Sequence, residues 1–199
     1  MKRQVIVIHG GDAFENYSDY LNSLKKREIT LEKLRSVGWK GNLAKDLGSK
    51  FDVLTPKMPN AQNARYEEWR IWFKKLIPLF TDDLILVGGS LGGIFLTKYL
   101  SENKFPLHIE ATFLVAAPYN TPTHHPYVDF TINYPLEKFI KQAGIVTLYH
   151  STDDQIVPYE NATRYMADLP EARLKTFSDR SHFSMEHFPE LVSDIQIIK

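Results

Sequence analysis

The sequence LILVGGSLGGIFLTKYL, from Leu84 to Leu100, decides the fold of this chain. It begins with a short apolar run and breaks at glycines on both sides of one serine, Ser90. Apolar residues then return at helical spacing, at Ile94, Phe95, Tyr99 and Leu100. The stretch therefore predicts a buried strand, a sharp turn and a helix.

The turn at Ser90 has the pattern G-x-S-x-G, the nucleophile elbow, which lifts a serine hydroxyl above the end of a sheet. The outer glycines, Gly88 and Gly92, avoid a clash with the neighbouring strand and helix. Leu91 offers a backbone N–H in the first helical turn, where donors lack partners within the helix. We predict that Ser90 is a nucleophile and that the Leu91 N–H helps to bind an oxyanion. An ordinary glycine-rich turn is the alternative, whereas a phosphate loop is disfavoured because G-x-x-x-x-G-K and G-x-G-x-x-G are missing.

Length and composition favour one domain over residues 1–199. Basic and acidic residues balance at 24 each, so we expect neither a nucleic acid nor an anionic membrane as a partner. The sequence contains no cysteine, which excludes disulfides, thiolate metal sites and cysteine nucleophiles and favours a cytoplasmic location. The apolar run from Val5 to Ile8 is too short for a signal peptide, and no later run reaches the length of a membrane span.

Short apolar runs alternate with amphipathic segments along the chain. Strands are predicted at residues 4–8, 51–54, 84–89, 110–117, 145–149 and 173–177. Helices are predicted at residues 17–26, 41–48, 64–76, 91–100, 135–142, 158–168 and 189–198. This alternation predicts an α/β fold with a mostly parallel sheet of about six strands and helices on both faces.

Two of these helices carry finer predictions. In the helix at 41–48, we expect the side chains of Leu43, Ala44 and Leu47 to point inward. In the helix at 64–76, Asn63 is predicted to cap the first turn. The predicted apolar face of that helix consists of Trp69, Trp72, Phe73 and Leu76.

Two long connections follow predicted strands. Residues 12–38 are long for a connection, and the sequence leaves open whether they form a lid or a surface excursion on the sheet edge. The loop at 119–134 contains His124 and His125, but adjacent histidines rarely converge on one ion, so we predict no metal site. Aromatic side chains of these loops are candidate walls of a substrate pocket: Phe14, Tyr17, Tyr119 and Tyr127.

An acid and a base follow Ser90 in the order typical of an acyl-transfer triad. Asp154 lies in the loop after the fifth strand, and His182 lies in the loop after the sixth. Asp153 is the alternative acid, but in an extended loop its side chain would point away from the cleft that Asp154 faces. His187 is the alternative base, and its place near the last helix favours a structural role.

An oxyanion hole needs a second donor besides Leu91. The first strand and the elbow strand should end at the same sheet edge, where glycines allow close backbone approach. We therefore predict Gly11 as the second donor, with Asp12 as the alternative. His9, at the end of the first strand, is expected to shape this loop through hydrogen bonds.

These motifs together resemble the α/β-hydrolase superfamily and, within it, the small serine hydrolases related to retinoblastoma-binding protein nine. The matching motifs are VIVIHGG near the N-terminus, GGSLGG at the elbow, VAAP after it, HSTDDQIVP in the acid loop and SHF at the base. The resemblance implies a hydrolase without a cofactor or a large cap, with modest carboxylesterase activity. It also implies nucleophile, acid and base roles for Ser90, Asp154 and His182. The chain departs from the family at residues 12–38 and at Ser181, where a glycine is common.

The leading hypothesis from the sequence is a cytoplasmic serine hydrolase that cleaves a small-molecule carboxylic ester through an acyl-enzyme. The same triad would also cleave amides or peptides if it protonates the leaving amine well. A third hypothesis, from a different class, is a protein-binding module that retains a degenerate hydrolase site.

Overall fold

The computed structural model describes residues 2–120 and 128–198, which form a six-stranded sheet in the order β2-β1-β3-β4-β5-β6. All neighbouring strands in this sheet run parallel, which confirms the predicted sheet. Its strands are β1 (Arg3–Ile8), β2 (Phe51–Leu54), β3 (Leu84–Gly89), β4 (Ile109–Val115), β5 (Ile145–Ser151) and β6 (Arg173–Phe177).

Helices connect the strands and cover both faces of the sheet, as predicted. They are α1 (Tyr17–Lys26), α2 (Leu31–Arg35), α3 (Gly38–Leu47), α4 (Tyr66–Leu76), α5 (Leu91–Glu102), α6 (Glu137–Gln142), α7 (Glu160–Asp168) and α8 (Pro189–Gln196). Short 3₁₀ turns follow at Ile77–Leu79 and Val128–Phe130. In the described part of the chain there is no large cap, and no helix is both long and apolar enough to cross a membrane.

Two apolar cores lie on the two faces of the sheet. One face buries side chains of α4 and α5, including Trp69 and Phe95. The opposite face buries side chains of α3 and α8, including Trp39 and Leu191. Because β1 and β3 lie between these cores, their residues are apolar on both faces, as is typical of buried parallel strands.

The helix after the first long connection begins earlier than predicted. It starts at Gly38 instead of Gly41, because the Trp39 N–H donates to Met185 O at 2.9 Å and fixes the first turn from outside. The Trp39 indole N–H also donates to Phe183 O at 3.1 Å. The prediction that Ala44 points inward is wrong, since Ala44 is exposed and Trp39 occupies the core instead.

The start and the face of α4 also differ from the prediction. Asn63 does not cap this helix, because the Tyr66 N–H donates to Asp129 Oδ2 of a distant loop at 2.8 Å. Trp72 is 42% exposed and does not belong to the buried face, whereas Tyr66 does. A cap supplied by tertiary contact leaves no pattern next to the helix in the sequence.

Residues 12–38 contain α1 and α2, neither of which has a buried side chain. The α1 boundaries agree with the prediction, and Asn16 caps the helix by accepting from the Asp19 N–H at 2.9 Å. Several large apolar side chains of this segment are exposed: Tyr17, Leu21, Leu24, Ile29, Leu31, Leu34 and Val37. The segment therefore runs over the surface. Its action as a lid is the other alternative that the sequence leaves open.

The elbow glycines give a testable prediction about stability. A Cβ on Gly92 would lie 2.6 Å from His9 O and closer still to Ile8 O, both backbone atoms at the end of β1. We expect Gly92→Ala to lower the free energy of unfolding by about 3 kcal/mol, because this backbone cannot move without disturbing the sheet. Urea unfolding followed by circular dichroism measures the change.

Gly89→Ala is the matched control for Gly92→Ala. A Cβ on Gly89 would meet Lys40 Cε at 2.6 Å, which is near the end of a flexible side chain. We expect Gly89→Ala to cost less than about 1 kcal/mol, since the lysine can move aside. Equal effects of the two substitutions would show that backbone contact does not explain the glycine at position 92.

Candidate active site

Ser90 lies in a strained turn between β3 and α5. Its backbone has φ of +53° and ψ of −124°, a conformation that residues other than glycine rarely adopt. The Ser90 N–H donates to Val115 O of β4 at 2.8 Å, and Ser90 O accepts from the Gly93 N–H at 2.8 Å. These two bonds hold the turn so that the side chain projects beyond the carboxyl end of the sheet.

Asp154 is buried in the loop after β5 and is held by two backbone donors. Its Oδ1 accepts from the Ile156 and Val157 N–H groups, each at 2.9 Å. Its Oδ2 lies 2.8 Å from Nδ1 of His182. The side chain therefore has one oxygen that fixes its own loop and one that faces the histidine.

Asp153 faces the loop that contains His182. It accepts from the Ser181 N–H at 3.0 Å and from Ser181 Oγ at 3.2 Å, and it also accepts from Ser151 Oγ. The bonds from Ser151 and Ser181 lower the pKa of Asp153. Ser181 has φ of +46°, so the aspartate contacts a residue whose backbone is strained next to His182.

His150 lies beneath Asp154 and was missed by the sequence interpretation, which gave this histidine no role. It is buried, its Nε2 lies 2.8 Å from Val157 O, and the same atom lies 4.0 Å from Asp154 Oδ2. Burial lowers the pKa of His150, so the ring is neutral and its Nε2–H donates to the carbonyl at neutral pH. This bond helps to hold the loop from residue 154 to 157.

A cleft of about 500 Å³ opens at the carboxyl end of the sheet. Ser90 and His182 both line it, together with Phe14, one of the predicted pocket walls. Its remaining lining residues are Gly10, Gly11, Asp12, Ala13, Ser23, Arg27, Lys40, Ala61, Gln62, Leu91, Ile156 and Val157. The structure thus brings the predicted nucleophile and base to one cavity, with Asp154 behind the base.

The predicted oxyanion donors also meet at this cleft. Gly11 and Leu91 both line it, and a Cβ on Gly11 would lie 3.3 Å from Leu91 Cδ2. Neither backbone N–H donates to any residue that the structure describes. The alternative donor, Asp12, instead donates its N–H to Ala61 O at 2.9 Å.

Of the predicted pocket walls that the structure describes, Phe14 alone lines the cleft. Tyr17 is 66% exposed on α1 and does not line the cleft. Tyr119 packs against Tyr165, and its hydroxyl donates to Asp168 on α7, so it lies outside the cleft as well. Tyr127 lies outside the described residues, as do His124 and His125.

The remaining histidines have structural contacts. His9 Nε2 accepts from the Met58 N–H at 2.8 Å, which confirms its predicted part in shaping the first loop. His187 is exposed and pairs with Asp46 at 2.8 Å, away from the cleft. Among the described residues, one trio has metal-ligating atoms close together, namely Asp83 and His108, which are exposed, and Glu110, which is partly buried. This trio lies at the amino ends of β3 and β4, opposite the cleft.

Lys40 is a charged lining residue that the sequence interpretation missed. It follows Trp39 in the first turn of α3, and its side chain lies against Gly89, next to Ser90. Because the helix is predicted to start at Gly41, Lys40 falls in the preceding connection, where the sequence gives no expectation of where its side chain points. The buried tryptophan beside it is the feature of the sequence that would have indicated a turn packed on the sheet.

Comparison with known proteins places these features in a family. The family model described as "Serine hydrolase" matches residues 33–189. Serine hydrolase RBBP9 of Rattus norvegicus is 27% identical over 161 residues, which cover 78% of this chain and 83% of the rat protein.

Solved structures show the same fold. The ydeN gene product of B. subtilis aligns with a TM-score of 0.72 and 22% identity, over 98% of this chain and 97% of that chain. The esterase domain of a Rhodothermus marinus protein aligns with a TM-score of 0.59 and 17% identity, over 92% and 78% of the two chains. These alignments confirm the α/β-hydrolase fold, and the family match confirms the resemblance drawn from the motifs. The chain belongs to the serine hydrolase family.

Proposed function

We propose that the protein cleaves small-molecule carboxylic esters through an acyl-enzyme formed on Ser90. The observation that carries this proposal is the 2.8 Å contact between Asp154 Oδ2 and His182 Nδ1, beside a cleft that both Ser90 and His182 line. A serine hydroxyl is a weak nucleophile and needs a base that can accept its proton. A histidine held by a buried carboxylate is such a base.

The proposed reaction begins when Ser90 Oγ attacks the ester carbonyl carbon and its proton passes to Nε2 of His182. The Nδ1–H of His182 donates to Asp154, which stabilises the imidazolium. The carbonyl oxygen becomes an oxyanion that accepts from the N–H groups of Gly11 and Leu91. When the tetrahedral intermediate collapses, His182 gives the proton to the leaving alcohol.

The second half of the reaction returns the enzyme to its starting state. A water molecule gives a proton to Nε2 of His182 and attacks the acyl carbon. The bond to Ser90 Oγ then breaks, the serine regains its proton from His182, and the carboxylic acid leaves. These steps use groups of this chain alone, in keeping with the expectation of no cofactor.

The hydrogen bonds of Asp154 support its role as the orienting acid. Because Oδ1 accepts from Ile156 and Val157, the plane of the carboxylate is fixed and Oδ2 faces His182. A carboxylate at this place favours the tautomer with the proton on Nδ1, which leaves Nε2 free to accept. Asp153, by contrast, bonds to Ser151 and Ser181 instead of the histidine ring.

Two other functions remain as alternatives to ester cleavage. Amide or peptide cleavage would use the same groups, with protonation of a poorer leaving group. A binding module would retain the cleft without turnover. A cytoplasmic location stays part of the proposal, on the ground that the sequence contains no cysteine.

The test combines covalent labelling with a matched pair of substrates. The protein is treated with a fluorophosphonate, and the labelled peptide is identified by mass spectrometry. Hydrolysis of p-nitrophenyl butyrate is measured beside that of butyryl p-nitroanilide, which differs only in the leaving group. We expect one adduct, on the peptide with Ser90, and faster cleavage of the ester.

Any other result of this labelling and hydrolysis test favours a different nucleophile or a different function. Faster cleavage of the anilide would replace ester cleavage by amide cleavage. An adduct on a residue other than Ser90 would reject the proposed nucleophile. Folded protein that gives neither an adduct nor turnover would favour the binding module.

A further inference from the structure

The cleft contains a cation that ester cleavage does not use. A Cβ on Gly89 would lie 2.6 Å from Lys40 Cε and 3.2 Å from Lys40 Nζ. The ammonium group therefore lies against the backbone of the residue that precedes Ser90. It lines the same cleft as Ser90 and His182.

Lys40 has no anionic partner among the residues that the structure describes. Its Nζ makes neither a hydrogen bond nor an ion pair with any residue in the ranges 2–120 and 128–198, and it lies over the face of Trp39, 4.7 Å from the ring centroid. The side chain is half-buried, and a partly desolvated ammonium without a partner is unfavourable. An anion that enters the cleft would supply the missing partner.

The other charges of the cleft do not neutralise Lys40. Arg27 pairs with Asp12 at 2.6 Å, so the charges of these two lining residues neutralise each other. His182 pairs with Asp154, the orienting acid of the proposed mechanism. Of the charged side chains that line the cleft, Lys40 is thus the cation left for a ligand.

We propose that Lys40 is a specificity-determining residue that binds a carboxylate on the ester substrate. The protein would then prefer esters that bear a negative charge in the acyl chain or in the alcohol over neutral esters of the same shape. This inference rests on the proposed function, since it names the substrate class of the same site. A hydrogen bond to a charged group is strong enough to change kcat/KM by a factor of about 10 to 100.

The first test uses two matched pairs of esters. Mono-p-nitrophenyl glutarate and p-nitrophenyl pentanoate differ by a carboxylate at the end of the acyl chain. The butyrate ester of 4-hydroxybenzoate and phenyl butyrate differ by a carboxylate on the alcohol. The measured quantity is the ratio of kcat/KM for the anionic ester to kcat/KM for the neutral ester.

Lys40→Met removes the charge at similar side-chain length, and Lys45→Met is its control on the exposed side of the same helix. We expect Lys40→Met to lower the ratio by about 10-fold or more in one pair, and Lys45→Met to leave it unchanged. The pair that responds shows which half of the ester carries the charge. Ratios that Lys40→Met leaves unchanged in both pairs would overturn the proposal.

The pH dependence of the same ratio adds a second readout. Burial lowers the pKa of Lys40 to about 8, so the side chain loses its charge as the pH rises through that value. The other charged groups at the cleft are Asp12 and Arg27, which pair with each other, and His182, which takes the same part in the cleavage of both esters. We expect the ratio to fall above about pH 8, and to stay level in Lys40→Arg.

A binding measurement separates this proposal from the proposed function. Calorimetry on Ser90→Ala compares the binding of monomethyl glutarate and methyl pentanoate in the absence of turnover, because these esters differ by one carboxylate at the end of the acyl chain. We expect tighter binding of monomethyl glutarate, and a loss of this difference in Ser90→Ala/Lys40→Met. If the wild-type protein hydrolyses no ester, the proposed function fails, and this comparison still decides the role of Lys40. Equal binding of the two esters would reject that role.

Discussion

Ser90→Ala is expected to lower kcat/KM for p-nitrophenyl butyrate by about 10⁵-fold, because the acyl-enzyme cannot form without the hydroxyl. The fold should remain intact. Alanine and serine meet the same steric restriction at φ of +53°, and the bonds that hold the turn use only the backbone of residue 90. Thermal unfolding should therefore agree with that of the wild type within a few degrees.

Steady-state kinetics at a known concentration of folded protein measures the effect of Ser90→Ala. The matched control is Ser101→Ala, in the same helix α5, where the hydroxyl is buried and donates to Thr97 O at 2.8 Å. Ser101→Ala should keep the rate per folded molecule. Ester hydrolysis that survives in Ser90→Ala at the wild-type rate would reject the nucleophile.

Asp154→Asn is expected to lower kcat by about 10⁴-fold with little change of structure. The reason lies in the two oxygens of this side chain. Oδ1 accepts from Ile156 and Val157, so the amide of an asparagine must keep its oxygen at that position. Its NH₂ group then faces His182 Nδ1 and imposes the tautomer with the proton on Nε2. That tautomer cannot accept the proton of Ser90.

Asp153→Asn is the comparison that separates the two neighbouring aspartates. Asp153 acts on the histidine loop through Ser181, so its replacement should loosen that loop and lower kcat by about 10-fold. The two variants are compared by kcat and by the ¹H NMR signal of the His182 Nδ1 proton. A larger loss in Asp153→Asn than in Asp154→Asn would transfer the role of the orienting acid to Asp153.

The parts of the fold that the sequence predicts are those that depend on local pattern. The strands at Phe51 to Leu54 and at Arg173 to Phe177 agree with the structure at both ends, because apolar runs are bounded there by turn residues. The sequence also predicts that Ser90, Asp154 and His182 lie near one another, for a related reason. Each follows a strand, and the carboxyl ends of parallel strands meet at one edge.

The parts that the sequence does not predict depend on contacts between distant segments. The first turn of α3 is set by Met185 and Phe183, which lie far along the chain from Trp39. That turn directs Lys40 into the cleft. In the same way, Tyr119 follows a strand as a pocket residue would, yet the hydroxyl of this residue bonds to Asp168 on α7. A local sequence pattern does not indicate hydrogen-bond partners that lie far away in the chain.

The position of β1 inside the sheet, between β2 and β3, also has a kinetic consequence. Its partners β2 and β3 come much later in the chain, with Ile6 opposite Leu54 and Ile8 opposite Gly88. During synthesis, this apolar strand therefore has no partner until β2 has been made, and it is not paired on both edges until β3 has been made. Long-range parallel pairing slows folding and exposes such strands to aggregation. We expect β1 to be the segment whose early protection by chaperones most affects the yield of folded protein.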